Sequence, residues 1–292
     1  MIEVVTGQPF ERALRELVLD PLAIDRAYFF PADVMTRRFA VGHGAPKGVH
    51  AVIGPWPVPR AANAAGGITT NVASLLGYAA FHMGDGMAQG ARVLSPSSLL
   101  QMRSTVVPKA GTDLTMGLTW HLSRAGNLAV VEHGGGTIGQ VSQLRLVPER
   151  RWALAVVTNS SRGGALNTHV LRTAMDAYLG VEHVRPSRLL VDAAALQEYV
   201  GTYRRQFADV SVTIDGDALQ LQVTPKMPGL DGTIPPAPPP QRVGFLAKDR
   251  LLQLDGLNAG EPGGEFIRSA NGRVEWLRTG RIHRRVDSPS TH

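Results

Sequence analysis

EHGGGTIGQ, Glu132 to Gln140, sets one histidine directly before three glycines, and its flanks are LAVVE on one side and VSQLRLV on the other. Both flanks alternate with the period of strands, so the glycines either bend the chain between two strands or continue one of them. Glycine beside a strand is a bend or a place where another backbone comes close. In esterases an HGGG segment supplies oxyanion amides, but that reading needs a Gly-x-Ser-x-Gly elbow, and the sequence contains none. The order of the neighbouring segments decides between what remains.

Working outward, LTMGLTWHL from Leu114, a turn at residues 124–127, LAVVE, the glycines, VSQLRLV, a Pro-Glu-Arg-Arg turn (148–151) and WALAVVTN predict a run of antiparallel strands. A helix over Ala165 to Leu179 follows, with Leu166, Val170, Leu171, Ala174 and Tyr178 on one side. Upstream, Phe10, Ala13, Leu14, Leu17 and Val18 predict a helix from Pro9 to Leu19, stopped by Asp20-Pro21. Thr70 or Asn71 caps a helix running to Met83. Ser95 caps another, with Pro96 at its first position and Leu99, Leu100 and Met102 inward. A Pro- and Gly-rich loop spans 42 to 67. IEVV at the very start reads as the end of an element already under way.

EHVRPSRLL, from Glu182, reads as a linker. After it come short strands joined by Asp-Gly, Asn-Gly and Gly turns, with PPAPPP (235–240) as a stiff surface connection. The expected organisation is therefore an α+β domain over 1–184, an antiparallel sheet with covering helices, followed over 185–292 by a small all-β domain, a lipocalin-like barrel.

Composition narrows the function. The chain of 292 residues is 43% hydrophobic and 18% charged, which suits a filled core. Its net charge of +6 comes from arginines interleaved with acids, and nucleic acid is not an expected partner. The densest basic run, RTGRIHRR (278–285), reads as the solvated face of a last strand. There is no cysteine, hence no thiolate nucleophile and no Cys-based metal site. No apolar run is long enough to span a membrane, and the compartment is left open. The histidines show no HExxH or similar spacing, and no phosphate loop or dinucleotide fingerprint occurs, so neither metal nor cofactor is expected.

The order strand, His133-Gly134-Gly135, strand, turn, strand, helix resembles the C-terminal half of the serine β-lactamase-like hydrolases, which include class C β-lactamases, penicillin-binding-protein-like D-peptidases and related esterases. Their third active-site motif is Lys-Thr-Gly or a histidine-led variant, and His133-Gly134-Gly135 looks like that variant. IEVVTGQPFERALRELVLDPLAID resembles the family segment that follows its second motif. AAGGITTNVASLLGYAAFHMGDG, VLSPSSLLQM and MGLTW match later landmarks, and LQEYVGTYRR with VSVTIDGDALQLQV resembles the appended barrel.

The resemblance implies acyl transfer to or hydrolysis of an amide or ester in a small-molecule or peptide substrate. It implies an oxyanion amide from Gly136 or Thr137, a strand along Gly134 and Gly135 against which substrate lies, and His133 where the family usually has lysine. The family's nucleophile is a serine in Ser-x-x-Lys, and its second motif is Tyr-x-Asn. No serine here has lysine three positions on, and no tyrosine has asparagine two positions on. Ser269-Ala270-Asn271 and Thr69-Thr70-Asn71 fit looser patterns, the first in the barrel and the second at a helix cap. Both family motifs precede the segment resembling IEVVTG, so the chain is expected to be the back part of such a hydrolase, inactive by itself, with a missing N-terminal segment as partner. The alternative is a non-catalytic ligand-binding or assembly module.

Overall fold

The computed structural model describes residues 1–44, 49–54, 58–104, 106–108, 115–137, 139–182, 184–228 and 234–286. The chain divides into two compact units, Met1–His183 and Val184–His292.

In the first unit Phe10–Leu14 (α1) runs straight on into a π-turn over Arg15–Leu19. The wider turn rotates the side chains, burying Leu19 and leaving Leu17 exposed, contrary to the simple helical period. Ile2–Thr6 is a short separate helix closed by Gly7 in the left-handed region, with Val4 and Val5 exposed. Val72–Met83 (α2) begins at Asn71, whose side chain accepts the Ser74 N–H. Pro96–Met102 (α3) begins at Ser95, which accepts the Ser98 N–H. Leu99 is buried and Met102 packs on the core, but Leu100 is exposed and not inward as its spacing predicts.

The main sheet has six antiparallel strands in chain order: Val107–Pro108 (β1), Thr115–Met116 (β2), His121–Ala125 (β3), Leu128–Thr137 (β4), Gln140–Val147 (β5) and Trp152–Thr158 (β6). Leu114, where the strand pattern was expected to start, lies outside the described residues. LTMGLTWHL does not form one strand, because at Gly117 the chain passes so close to the Met102 carbonyl that a Cβ would overlap it. The glycines are no bend: Gly134, Gly135 and Gly136 continue β4.

Both faces of the sheet are covered. Val131, Leu144 and Leu146 pack with Ala79 of α2 and with Trp120 on one face. Leu128, Val130 and Val147 pack on the other with Met175 of the helix Gly163–Leu179 (α4). Burying a side chain such as Leu146 contributes roughly 1.5–3 kcal/mol. α4 starts two residues before its expected Ala165, and its buried residues are Gly163, Asn167, Leu171 and Met175. Leu166 and Tyr178, expected inward, are exposed. The cause is polar: Asn167 turns inward because its amide donates to the Val141 carbonyl, and Gly163 is needed where the helix touches Thr158.

The second unit is a closed barrel of eight antiparallel strands: Gly201–Arg205 (β7), Ala208–Asp215 (β8), Ala218–Pro225 (β9), Gln241–Ala247 (β10), Arg250–Gln253 (β11), Pro262–Arg268 (β12), Val274–Arg278 (β13) and Ile282–Val286 (β14). It closes where β14 pairs β7. Tyr199, Tyr203, Phe245, Leu251 and Phe266 fill the interior. Arg268 ties one end, donating to both Glu198 and Asp249. RTGRIHRR is less solvated than expected. His283 is buried, Arg278 pairs the buried Glu265, and Arg285 donates to the Glu198 and Val200 carbonyls. Residues 235–240 carry no regular element.

Candidate functional site

Every residue of the motif sits on β4, and two tight hairpins fix how its backbone faces. Two residues, Gly126 and Asn127, join β3 to β4, so Ala125 pairs Leu128. Two more, 138 and 139, join β4 to β5, so Thr137 pairs Gln140. The pair that closes a two-residue hairpin exchanges both of its hydrogen bonds, and such pairs alternate along an antiparallel ladder. Counting from the first turn, Leu128, Val130 and Glu132 aim their N–H and C=O at β3. Counting back from the second, Thr137, Gly135 and His133 aim theirs at β5. The two counts agree.

Side chains around the strand obey the same phase. Ala129, an odd residue, donates its N–H to Glu149 on the β5 side. Thr158 donates to the Val141 carbonyl, so Val141 faces β6 and not its partner Gly136.

β3 ends at His121, opposite Glu132. Beyond it, among the described residues, no strand pairs that edge of β4. The phase therefore points the N–H and C=O of Gly134 and Gly136 outward from the free edge. His133 to Thr137 are all exposed. On β5 the Gln143 and Ser142 side chains lie so close to Gly134 and Gly135 that a Cβ would meet them, whereas Gly136 has open space. Glycines leave the edge low and open to an approaching ligand backbone.

The surroundings of the edge are held tightly. Glu132 is gripped by Arg145 through Nη2 at 2.6 Å and Nε at 2.9 Å, and Arg145 rests on the Met175 sulfur at 3.1 Å. The His133 ring stands 5.5 Å from the ring of His121, centre to centre, tilted by 59°. Sequence spacing gave no hint of that neighbour; counting back from the turn at 126–127 sets His121 opposite Glu132, one position before His133.

At the hairpin tip, Gly139 has φ 71 and lies against Gly42 and His43, leaving no room for a Cβ. The His43 N–H is shared between the Gly139 carbonyl at 3.2 Å and the Asn159 carbonyl at 2.9 Å. Gln140 and Asn159 donate to the Ala40 and Val41 carbonyls. Residues 40–44 are thus stitched between the hairpin tip and the end of β6. On another side, Gly66 faces the Thr137 methyl. Ser269-Ala270-Asn271 is a barrel turn in which Ser269 donates to Asn271, and Asn71 is a helix cap.

Among the described residues no three His, Asp or Glu side chains gather as a metal-ligand group, and no helix is long and apolar enough to cross a membrane.

A family model described as Beta-lactamase matches residues 1–178. Penicillin-binding protein 4 of Amycolatopsis lactamdurans is 30% identical over 222 residues, 70% of this chain and 56% of that protein. The chain thus spans about half the length of the curated relative it matches. Among solved structures, SurE is similar with a TM-score of 0.63 at 25% identity, over 97% of this chain and 64% of its own. The octameric penicillin-binding protein homologue from Pyrococcus abyssi shares the fold with a TM-score of 0.56 at 19% identity, over 96% of this chain and 61% of its own.

Proposed function

The chain belongs to the β-lactamase family of hydrolases, and from that premise we propose that the free edge of β4 receives the acyl group of a substrate in serine-dependent acyl transfer. The observation that supports this is the hairpin phase, which turns the Gly134 and Gly136 amides outward together. When a serine oxygen bonds to the substrate carbonyl carbon, the C=O electron pair moves onto oxygen. An N–H already aimed at that oxygen stabilises it by several kcal/mol without reorganising. Gly136 is that donor in this reading, because it is open and its neighbour Thr137 points its N–H at β5. Gly134 and Gly135 let the substrate backbone lie flat. His133 assists proton transfer or meets a substrate carboxylate.

None of the 292 residues provides Ser-x-x-Lys or Tyr-x-Asn. In this reading the nucleophile therefore comes from polypeptide outside this sequence, and the chain alone binds an acyl substrate without being acylated. The substrate class is a small-molecule or peptide amide or ester. The other reading is a non-catalytic ligand-binding or assembly module; aromatic side chains occupy the barrel interior, which speaks against a ligand held there and leaves the groove beside β4 as the binding place in that reading.

The test joins two measurements. In intact-mass analysis after incubation with benzylpenicillin or a fluorophosphonate, no acyl adduct is expected, and an adduct mapped to a serine of this chain would refute the external nucleophile. In an amide NMR titration with an N-acyl-D-amino-acid amide, shifts are expected at Gly134 and Gly136 and are lost in Gly136→Pro. No response of β4 at millimolar ligand would refute the edge itself.

A further inference from the structure

We infer that one end of the barrel docks on an anionic lipid surface, inserting apolar tips that are backed by basic side chains. The inference stands on the barrel alone and is independent of the acyl-transfer reading.

In a closed barrel of antiparallel neighbours, successive connections open at alternate ends. The connections after β7, β9, β11 and β13 therefore share one end, and those after β8, β10 and β12 share the other. At the first end each connection carries a large exposed apolar side chain: Phe207 between β7 and β8, Met227 just beyond β9, Leu257 between β11 and β12, and Ile282 where β14 begins. The turns at the other end, 216–217, 248–249 and 269–273, hold only Gly, Asp, Lys, Ser, Ala, Asn and Arg. Exposed apolar side chains scattered singly need no partner, but one on every connection of a single end forms a rim. Phe207 and Met227 are neighbours on it, because the Lys226 N–H donates to the Phe207 carbonyl at 3.0 Å.

The side chains behind the rim are mainly basic. Arg204 stands directly opposite Arg284 on the neighbouring strand, and both are exposed. Like charges set opposite each other destabilise a ladder, and an anionic surface would relieve that repulsion. Arg281 is exposed in the last turn, and exposed Lys226 precedes Met227. Two acids accompany them: Asp209 lies between Lys226 at 2.6 Å and Arg204 at 3.2 Å, and Glu275 meets Arg284 at 3.4 Å. These four cations thus meet two carboxylates. Asp255 and Glu261 stand in the Leu257 loop, so the contact is centred on Phe207, Met227 and Ile282. Two such rims facing each other would set like charge against like, which disfavours a second copy as the occupant. Tips carried on separate connections suit a fluid surface, which can fill around each one.

The wall of the barrel is unlike its rim. With Val210, Val212, Leu219 and Leu221 in the core, the alternate residues Ser211, Thr213, Gln220 and Gln222 face out, so the barrel rests at the interface and does not span.

The experiment sediments the full chain with vesicles of phosphatidylcholine alone or with about one-third phosphatidylglycerol, at low and high salt. Binding at least tenfold stronger to the anionic vesicles is expected, weakening as salt rises because the charges are screened. Each basic residue near such a surface strengthens binding about fivefold, so Arg281→Gln should weaken it by about that factor and Lys248→Gln, at the other end, by less than twofold. Phe207→Ser combined with Met227→Ser and Ile282→Ser should weaken it at least tenfold. On the unaltered chain, anionic vesicles are expected to slow hydrogen exchange at 206–207, 226–227 and 280–282 and to leave 216–217 and 270–272 unchanged. No preference for anionic vesicles, protection centred outside the rim, or an equal loss in Lys248→Gln and Arg281→Gln would overturn the inference. So would a concentration-dependent dimer that the three-residue variant abolishes.

Discussion

Protonation of His82 is the perturbation whose cost the structure fixes best. The side chain is 1% exposed, and its ring lies edge-on to Tyr78 at 4.4 Å, Trp120 at 5.2 Å and Phe81 at 5.6 Å. Its Nδ1 has no hydrogen-bond partner among the described residues. Burial, with a smaller contribution from the positive charge of Arg103, lowers its pKa from 6.5 to about 4. The unfolded chain therefore binds more protons than the folded one at pH values between these two. Stability from this group is fully present above about pH 6.5 and is lost as pH falls toward 4. At about 1.36 kcal/mol per pKa unit, the loss is roughly 2 kcal/mol at pH 5 and roughly 3 kcal/mol at pH 4. The assay is urea unfolding followed by tryptophan fluorescence between pH 7.5 and 4, for the native chain and for His82→Leu. The difference between the two curves of stability against pH isolates His82. His283, also lowered by burial first and by Arg205 second, titrates in both proteins and cancels. The native chain should fall by about 3 kcal/mol more than the variant by pH 4. Parallel curves would show that a charged His82 is accommodated, and the reasoning from its burial would be wrong.

Two further outcomes are expected. Gly139→Ala combines a left-handed residue with a Cβ that overlaps Gly42 and His43. It should cost at least about 1–2 kcal/mol and speed hydrogen exchange at the His43 amide, while exchange at Leu146 stays slow. β6, WALAVVT, is an uncharged strand at the edge of the six-stranded sheet, with Val157 exposed. Val157→Lys should reduce light scattering on concentration at an unchanged Tm, and equal aggregation would show that this edge is not the contact.

Much of the fold could be read from local chemistry. Asn71 and Ser95-Pro96 mark helix starts because a side-chain acceptor before an apolar run has few other uses. Gly216 and Gly272 mark barrel turns because both adopt positive φ. What could not be read is which face each helix buries. Leu17, Leu100, Leu166 and Tyr178 look inward by composition, but a π-turn, a short helix and the inward hydrogen bond of Asn167 set the rotation. These are tertiary facts. The site divides the same way. The motif stands in plain view at 133–137, but the outward phase of Gly134 and Gly136 needs both hairpins. The meeting of His121 with His133, twelve positions apart, needs the pairing of Ala125 with Leu128.

The phase of β4 has a consequence for how this chain can change over generations. Which amides face outward depends on whether a position is odd or even between two fixed turns, so the donor set is written as a parity and not as a shape. Substitutions among small residues leave that parity untouched. A single-codon insertion within 128–137 would exchange the outward set for the inward one unless a bulge absorbed it, whereas a two-codon insertion would keep it. Length variation between the turns at 126–127 and 138–139 should therefore be tolerated in steps of two.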